Sequence, residues 1–227
     1  MENSGKGGTI PTGNTNSESA SNAFTYAFAK SISYFFHPLL IPTIGLWFVF
    51  HIHSYISFFI TPELQPALYI IVFIATFVFP VLTVLLLRIT GFIKSLEMES
   101  PEERRIPYLL TSIYYSVGYF LLTTKITLPE QLKLLLLGAN ISVVLTMVIN
   151  IKWKISAHAI GVGGLIGALL GISTHLQVNV LNELIVAFLI AGLVGYSRLR
   201  LNAHNPAQLY VGYAVGFLSE FLLFVLL

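Results

Sequence analysis

The sequence has 227 residues, of which 56% are hydrophobic and only 10% are charged, whereas a soluble domain usually carries about a quarter charged residues. This composition excludes an ordinary soluble domain and indicates an integral membrane protein, while a formal net charge of +2 gives no indication of a nucleic-acid partner. The chain has no Cys, which excludes disulfides and thiolate metal sites, and it has no Asp, so every carboxylate side chain is one of ten Glu.

The N-terminal segment, residues 1–25, is rich in Gly, Ser, Asn and Thr and contains no apolar run. This composition predicts a disordered polar tail rather than a cleavable signal peptide. Residues 26–227 predict one polytopic membrane domain, because apolar segments of about 20 residues follow one another with short gaps. The expected fold class is therefore an all-α integral membrane protein, a bundle of six to seven transmembrane helices.

Seven spans are predicted, at roughly 32–52, 66–90, 106–124, 130–150, 157–174, 179–196 and 206–226. Six spans stay open as an alternative, if residues 32–60 fold back or the fifth span is re-entrant. His37, Pro38 and Pro42 predict a kink in the first span. The repeated glycines of the fifth span predict close helix packing.

The positive charge of the chain is unevenly distributed between the loops. With seven spans, parity puts the tail and the loops near 91–105, 151–156 and 197–205 on one side of the membrane. Only Lys125 and Lys133 lie in the opposite loops. The positive-inside rule therefore predicts that the charged side is cytoplasmic, and we expect the membrane to be a bacterial inner membrane.

The segment between the last two spans carries residues suited to anion chemistry. It reads S-R-L-R-L-N-A-H-N-P-A-Q, with Ser197 and Arg198 at the end of the sixth span and His204 before the seventh. Asn205 followed by Pro206 predicts a helix start, because Asn caps helices and Pro is favoured at the first helical position. The unpaired N–H groups of that helix start and a neighbouring Arg would favour a phosphate beside His204.

The segment K-I-S-A-H at 154–158 has the same features on the same side of the membrane. Ser156 is a predicted N-cap of the fifth span, with His158 in its first turn and Lys154 just outside it. Because parity puts both segments on one side, we predict that they share one site at a membrane interface.

The segment around His204 resembles the third motif of the membrane-bound type 2 phosphatidic acid phosphatases, a family related to the vanadium haloperoxidases. That motif is Ser-Arg, five residues, His, three residues, Asp. Ser197, Arg198 and His204 match it, and Gln208 stands where the Asp is expected.

The other two motifs of that family are matched less completely. The second motif, P-S-G-H, is similar to I-S-A-H at Ser156 and His158. The first motif is a Lys, six residues and Arg-Pro. The most similar segment here is E-E-R-R-I-P, in which Arg104 or Arg105 could supply the Arg. No Lys stands seven positions before either Arg. The resemblance covers roughly residues 95–220.

The resemblance implies a metal-independent lipid-phosphate phosphatase that uses no cofactor. His204 would be the nucleophile that forms a phosphohistidine, and His158 would be the acid that protonates the leaving oxygen. The partners would be a lipid phosphate and the membrane, with association into a homo-oligomer left open. The phosphate oxygens would be held by Ser197, Arg198, Ser156, Arg104 or Arg105, helix N-terminal amides and Lys154, with Lys94 as a second substitute for the missing Lys.

Gln208 is the departure with the largest chemical consequence. A carboxylate fixes the tautomer of the His and stabilises the imidazolium, whereas an amide does only the first; the comparable Asp-to-Asn change in a serine protease costs about 10⁴ in rate. Gln208 also completes a variant of the capping box and could simply close the helix. Glu220 lies sixteen residues beyond His204, about 24 Å away, which predicts a position at the other membrane face. The acidic residues on the correct side to replace the Asp are Glu97, Glu99, Glu102 and Glu103.

Two other functions compete with the phosphatase. A catalytically weak or inactive relative that binds or carries a lipid phosphate is favoured by the missing Asp and Lys. A small-solute transporter ranks last, because the fifth and sixth spans have almost no polar residues at mid-membrane. His37 and His175 have no evident chemical partner, and the H-x-H pair His51 and His53 indicates interfacial residues more than a metal site.

Overall fold

The structure is a computed structural model and describes residues 15–95, 98 and 101–227. Over these residues the chain is helical with no strand, which confirms the all-α fold class. The α-helices are α1 (Thr15–Phe35), α2 (Ile41–His51), α3 (Tyr55–Phe59), α4 (Leu64–Phe73), α5 (Phe79–Ile89), α6 (Pro101–Lys125), α7 (Glu130–Asn150), α8 (Ala157–Leu176), α9 (Leu181–Arg200) and α10 (Pro206–Leu226).

Within the described residues, 6 helical segments are long and apolar enough to cross a membrane. They are Ala20–His51, Leu64–Ile89, Glu130–Asn150, Ala157–Leu176, Leu181–Arg200 and Pro206–Leu226. The predicted span 106–124 falls in α6, whose 25 residues include repeated Tyr, Ser and Thr and are therefore less apolar. Residues 126–129 connect α6 to α7, and the two helices pack side by side in an antiparallel pair.

The first predicted span is broken where a kink was expected. α1 ends at Phe35, a 3₁₀ turn covers Pro38–Leu40, and α2 begins at Ile41. The Nδ1 atom of His37 accepts a hydrogen bond from the N–H of Leu39 at 3.4 Å, which caps this turn.

α1 begins inside the segment that was expected to be a polar tail. Residues 15–25 belong to α1, and residues 1–14 lie outside the described residues. α1 crosses the C-terminal end of α9, since the guanidinium of Arg200 donates to Asn22 and Thr25 while Ser197 contacts Ala29. α1 therefore runs over one end of the bundle.

The predicted span 66–90 forms as a helix that changes geometry partway. α4 passes through a π-helical segment, Ile74–Val78, into α5, whose second residue is Pro80. A proline lacks the N–H that would continue the α-helical ladder, which is a usual cause of such a change. The hydroxyl of Thr76 in this segment donates to the Leu39 carbonyl at 3.1 Å, which joins the π segment to the 3₁₀ turn.

α8 is the most buried of the candidate spans and packs against α10 through glycines. A Cβ atom at Gly163 would overlap the Tyr213 carbonyl, and one at Gly216 would overlap the Ile160 carbonyl. The two backbones therefore touch with no layer of side chains between them, which confirms the predicted close packing. This contact fixes the N-terminal end of α8 beside the N-terminal end of α10.

Candidate functional site

The N-terminal end of α8 is capped as the sequence predicted. Ser156 is fully buried, and its Oγ accepts a hydrogen bond from the N–H of Ala159 at 3.3 Å. The N–H of Ser156 also donates to the Gln208 carbonyl at 3.5 Å, so the starts of α8 and α10 are joined directly. Ser156 thus stabilises the helix ends.

His158 is held by α1. Its Nε2 atom lies 3.0 Å from the carbonyl oxygen of Ser33. Because a carbonyl oxygen can only accept, Nε2 carries a proton and donates it. In the neutral ring Nδ1 then holds the lone pair and can accept a proton. The ring of His37 stands edge-on to the His158 ring, with the centroids 5.6 Å apart. His37 therefore has a neighbour that the sequence did not reveal.

The C-terminal end of α9 supplies one buried hydroxyl and one guanidinium. Ser197 is fully buried, contacts the Ala29 carbonyl, and shares a hydrogen bond of 2.9 Å with the Ser33 hydroxyl. An Nη atom of Arg198 donates to the same Ser33 hydroxyl at 3.3 Å. The Nε atom of Arg198 is buried and has no hydrogen-bond partner among the described residues. Ser197 therefore holds α1, whereas Arg198 keeps donor capacity.

His204 is oriented by Gln208. The side chain of Asn205 accepts from the N–H of Gln208, and Gln208 Oε1 accepts from the N–H of Asn205, both at 3.0 Å. The predicted capping box is therefore confirmed. His204 Nδ1 lies 3.3 Å from the same Oε1 atom. Since that oxygen accepts, Nδ1 carries the proton and Nε2 holds the lone pair.

The electrostatic environment keeps His204 uncharged at neutral pH. Burial lowers the pKa of His204 to about 4, and the positive charges of Arg198 and Lys154 act in the same direction. The hydrogen bond with Gln208 opposes these effects without reversing them. A neutral imidazole with its lone pair on Nε2 is the form in which a His can attack an electrophile.

His158, Arg198 and His204 line one end of a cavity of about 830 Å³, whereas Ser156, Ser197 and Gln208 stand behind its wall. The polar end is lined by His37, Lys154, His158, Arg198 and His204. Most of the wall is apolar and includes Ile41, Phe77, Val81, Val84, Leu85, Leu135, Val143, Ile160 and Leu165. The cavity therefore combines a cationic end with a mostly apolar body, whose wall also includes Ser142, Thr146 and Glu220.

Several predicted site residues stand apart from the cavity wall. Arg105 is exposed on α6 and does not line the cavity. Arg104 is 6% exposed, and its Nε donates to the Met98 carbonyl at 2.6 Å. Glu103 accepts from the N–H of Lys94 at 2.9 Å. Glu102 is exposed on α6, and Glu97 and Glu99 lie outside the described residues.

Glu220 lines the cavity, which the sequence did not predict. It was expected at the far membrane face, yet it is 4% exposed and lines the same cavity as His204. Its neighbours are Gly138 of α7 and Gly164 of α8, which leave room for the carboxylate. A count of residues along α10 gave no indication of which helices enclose this carboxylate.

No model of a known protein family, no curated protein and no solved structure matches the chain. Within the described residues no group of three or more His, Cys, Asp or Glu could hold a metal ion. The fold and the site therefore define a helical integral membrane protein with a His- and Arg-lined cavity at one end of the bundle.

Proposed function

We propose that the protein is a membrane-embedded phosphatase acting on the phosphomonoester or pyrophosphate of a phospholipid or prenyl lipid. The observation that carries the proposal is that His204, His158 and Arg198 line the polar end of a cavity whose body is apolar. A lipid phosphate has the same division, with an anionic head and an apolar chain. Phosphatidate, phosphatidylglycerol phosphate and undecaprenyl pyrophosphate are the substrates to be compared.

Phosphate binding rests on the cations at the polar end. Arg198 has an unsatisfied Nε donor, and Lys154 lines the same end of the cavity. A guanidinium can bind two phosphate oxygens at once, which fixes the orientation of the phosphorus atom. The acyl or prenyl chain would then lie along the apolar wall.

The reaction proceeds through a covalent intermediate on His204. Its Nε2 attacks phosphorus, so that an N–P bond forms while the bond to the leaving oxygen breaks. The substrate enters as the phosphate monoanion, whose proton passes to Nδ1 of His158 while Nε2 donates to the Ser33 carbonyl, and His158 then gives this proton to the leaving oxygen. Water then attacks the phosphohistidine, and His158 accepts the proton that this water releases. Arg198 stabilises the charge that develops on the phosphoryl oxygens.

The test is phosphate release by the purified protein in EDTA, from phosphatidate and from undecaprenyl pyrophosphate. His204→Ala should abolish release, whereas the matched variant His53→Ala, at an exposed position just after the C-terminal end of α2, should leave it unchanged. Acid quenching during turnover should trap an acid-labile phosphate on the wild-type protein. Release from neither substrate above the level of the His204→Ala variant would refute the proposal.

A second candidate function is favoured by Gln208. An amide holds the ring of His204 but supplies no negative charge to stabilise an imidazolium, so the same site suits a protein that binds or carries a lipid phosphate without cleaving it. Native mass spectrometry with phosphatidate distinguishes the two functions, because a binder retains the intact lipid while an enzyme releases diacylglycerol. Arg198→Ala should remove the retained lipid.

Location and sidedness complete the proposal. We propose a bacterial inner membrane as the location, and we propose the cytoplasmic side for the site on the basis of the distribution of Lys and Arg among the loops.

A further inference from the structure

A carboxylate lies enclosed among the helices at the deep part of the cavity. Glu220 of α10 is 4% exposed, and its Oε2 atom has no hydrogen-bond partner among the described residues. A Cβ atom at Gly138 of α7 would overlap this carboxylate, and Gly164 of α8 adjoins its side chain. α7 and α8 are thus shaped around Glu220. A carboxylate at this depth is costly, and such residues in membrane proteins usually serve an ion or proton pathway.

α7 presents a polar face toward the same region. Gly138, Ser142, Thr146 and Asn150 recur at intervals of four residues, which puts them on one side of the helix, and all four are buried. Ser142 and Thr146 line the cavity together with Glu220. This face extends about 18 Å from Gly138 to the end of α7, which adjoins the segment bearing Lys154 and Ser156.

The polar face retains unused hydrogen-bonding capacity. Ser142 Oγ and Asn150 Oδ1 are buried without a partner among the described residues, while Thr146 donates to the Ser142 carbonyl at 2.6 Å. Unsatisfied polar atoms beside a cavity are sites for water, which needs two to four polar partners. The face therefore suits a chain of waters between the polar end of the cavity and Glu220.

No fixed cation neutralises Glu220 from the helices packed against it. Between Gly138 and Asn150, α7 carries no charged residue, and Lys133 pairs with Glu130 at 3.0 Å at the other end of that helix. The titratable groups of α8 are His158, in its first turn at the polar end of the cavity, and His175, whose Nδ1 lies 3.3 Å from the Phe224 carbonyl, one turn beyond Glu220. The remaining titratable groups are tyrosines: Tyr213, which donates to the Ala191 carbonyl, and Tyr108 and Tyr115 of α6, which line the cavity.

We propose that Glu220 is a proton-binding site that exchanges protons with the cavity along the polar face of α7. A lone anion enclosed by helices in the bilayer would be strongly disfavoured, and a proton neutralises it without requiring further ligands. This function lies beyond the phosphate site and does not depend on the phosphatase proposal.

The test uses dicyclohexylcarbodiimide, which modifies protonated carboxyls in apolar surroundings. The carboxyl adds to the carbodiimide and an acyl shift gives a stable N-acylurea, with no leaving group and no redox partner. We expect one adduct per chain by intact mass spectrometry of the full-length protein in detergent, with the extent of labelling falling as pH rises. Glu220→Gln should remove the adduct, and Glu183→Gln, at the first turn of α9, should retain it.

A second pair of variants tests the route along α7. Ser142→Ala and Thr146→Val, made together, should slow labelling several-fold, while Thr124→Val at an exposed position of α6 should leave the rate unchanged. Undiminished labelling of the Glu220→Gln variant, with the wild-type elution volume on size exclusion, would overturn the proposal. Protection by Na⁺ at constant pH would overturn it in favour of a monovalent-cation site. Labelling independent of pH would also overturn it.

Discussion

Replacing Gln208 with Glu changes the charge beside His204 while keeping the shape of the site. In the structure Gln208 Oε1 accepts from the N–H of Asn205 at 3.0 Å and lies 3.3 Å from His204 Nδ1. A Glu side chain presents an oxygen at the same place, and Glu is the usual partner in a capping box. The helix start is therefore expected to persist, so that the variant isolates the effect of a negative charge.

The expected shift in the pKa of His204 follows from the distance between the two groups. Two unit charges about 4 Å apart interact by about 4 kcal/mol at an effective dielectric constant near 20 and by about 1 kcal/mol in water. At about 1.4 kcal/mol per pKa unit, this corresponds to a rise of roughly 1 to 3 units. The pKa rises because a neighbouring carboxylate favours the imidazolium. From a value of about 4, the pKa of His204 should therefore move to roughly 5 to 7.

The assay is NMR titration of ¹³C-labelled histidine rings in detergent, in which the His204 resonance is assigned by its loss from the His204→Ala variant. Gln177→Glu, at the other end of the bundle, is the matched control and should leave the resonance unchanged. A shift smaller than about half a unit in Gln208→Glu would refute the reasoning, because even aqueous screening at this distance predicts more. Under the phosphatase proposal the acid limb of the pH–rate profile should rise by the same amount.

The same pKa governs how acid affects stability. The folded-state pKa of His204, about 4, is below its ordinary value of 6.5, so the unfolded chain binds more protons between these values. Folding stability should therefore fall as pH is lowered from about 6.5 to about 4. The Gln208→Glu variant should lose less stability over this range, as measured by thermal unfolding in detergent at pH 7 and pH 4.5.

Glycine packing, the Arg198 guanidinium and the position of the C-terminus each give a further expected outcome. Gly216→Ala should destabilise the protein by about 1–3 kcal/mol in thermal unfolding, because the new Cβ would overlap the Ile160 carbonyl. The control Gly192→Ala faces open space and should leave the stability unchanged, so equal melting temperatures of the two variants would contradict this reasoning. Arg198→Lys keeps the positive charge but cannot form the two parallel hydrogen bonds of a guanidinium. Under the phosphatase proposal, KM for a lipid phosphate should therefore rise roughly tenfold, and an unchanged KM would exclude bidentate binding by Arg198. α10 runs from the site to the opposite end of the bundle, so Leu227 lies on the outer side of the membrane if the site is cytoplasmic. In that case an alkaline phosphatase fused to Leu227 should be active and a fused GFP should not fluoresce. The reverse result would put the site on the outer face.

Local signals account for the parts of the fold that could be predicted. α7 and α10 coincide with the predicted spans 130–150 and 206–226, because Pro129 and the Asn205-Pro206 pair stop the chain from extending either helix backwards. The break before α2 was evident from His37-Pro38 for the same reason. The start of α1 at Thr15 had no such signal, since this helix is fixed by contacts with α9 more than 160 residues away in sequence.

The site was predictable to the extent that it depends on helix ends. Span parity put His158, Arg198 and His204 on one side, and the structure gathers them at one end of one cavity. His37 was missed because its neighbour His158 comes from a helix distant in sequence. The burial of Glu220 was not predicted, because it depends on Gly138 and Gly164, and glycines on other helices do not indicate which side chain they will surround.

The glycine contact between α8 and α10 also has a mechanical consequence. The backbones of α8 and α10 meet without intervening side chains, and the hydrogen bond from Ser156 to the Gln208 carbonyl joins the two helix starts. We expect α8 and α10 to move as one rigid unit, with His158 in the first turn of α8 and His204 just before the start of α10. We therefore expect a motion that admits a ligand to displace the other helices relative to α8 and α10, and the separation of the two histidines to stay the same whether the cavity is open or closed.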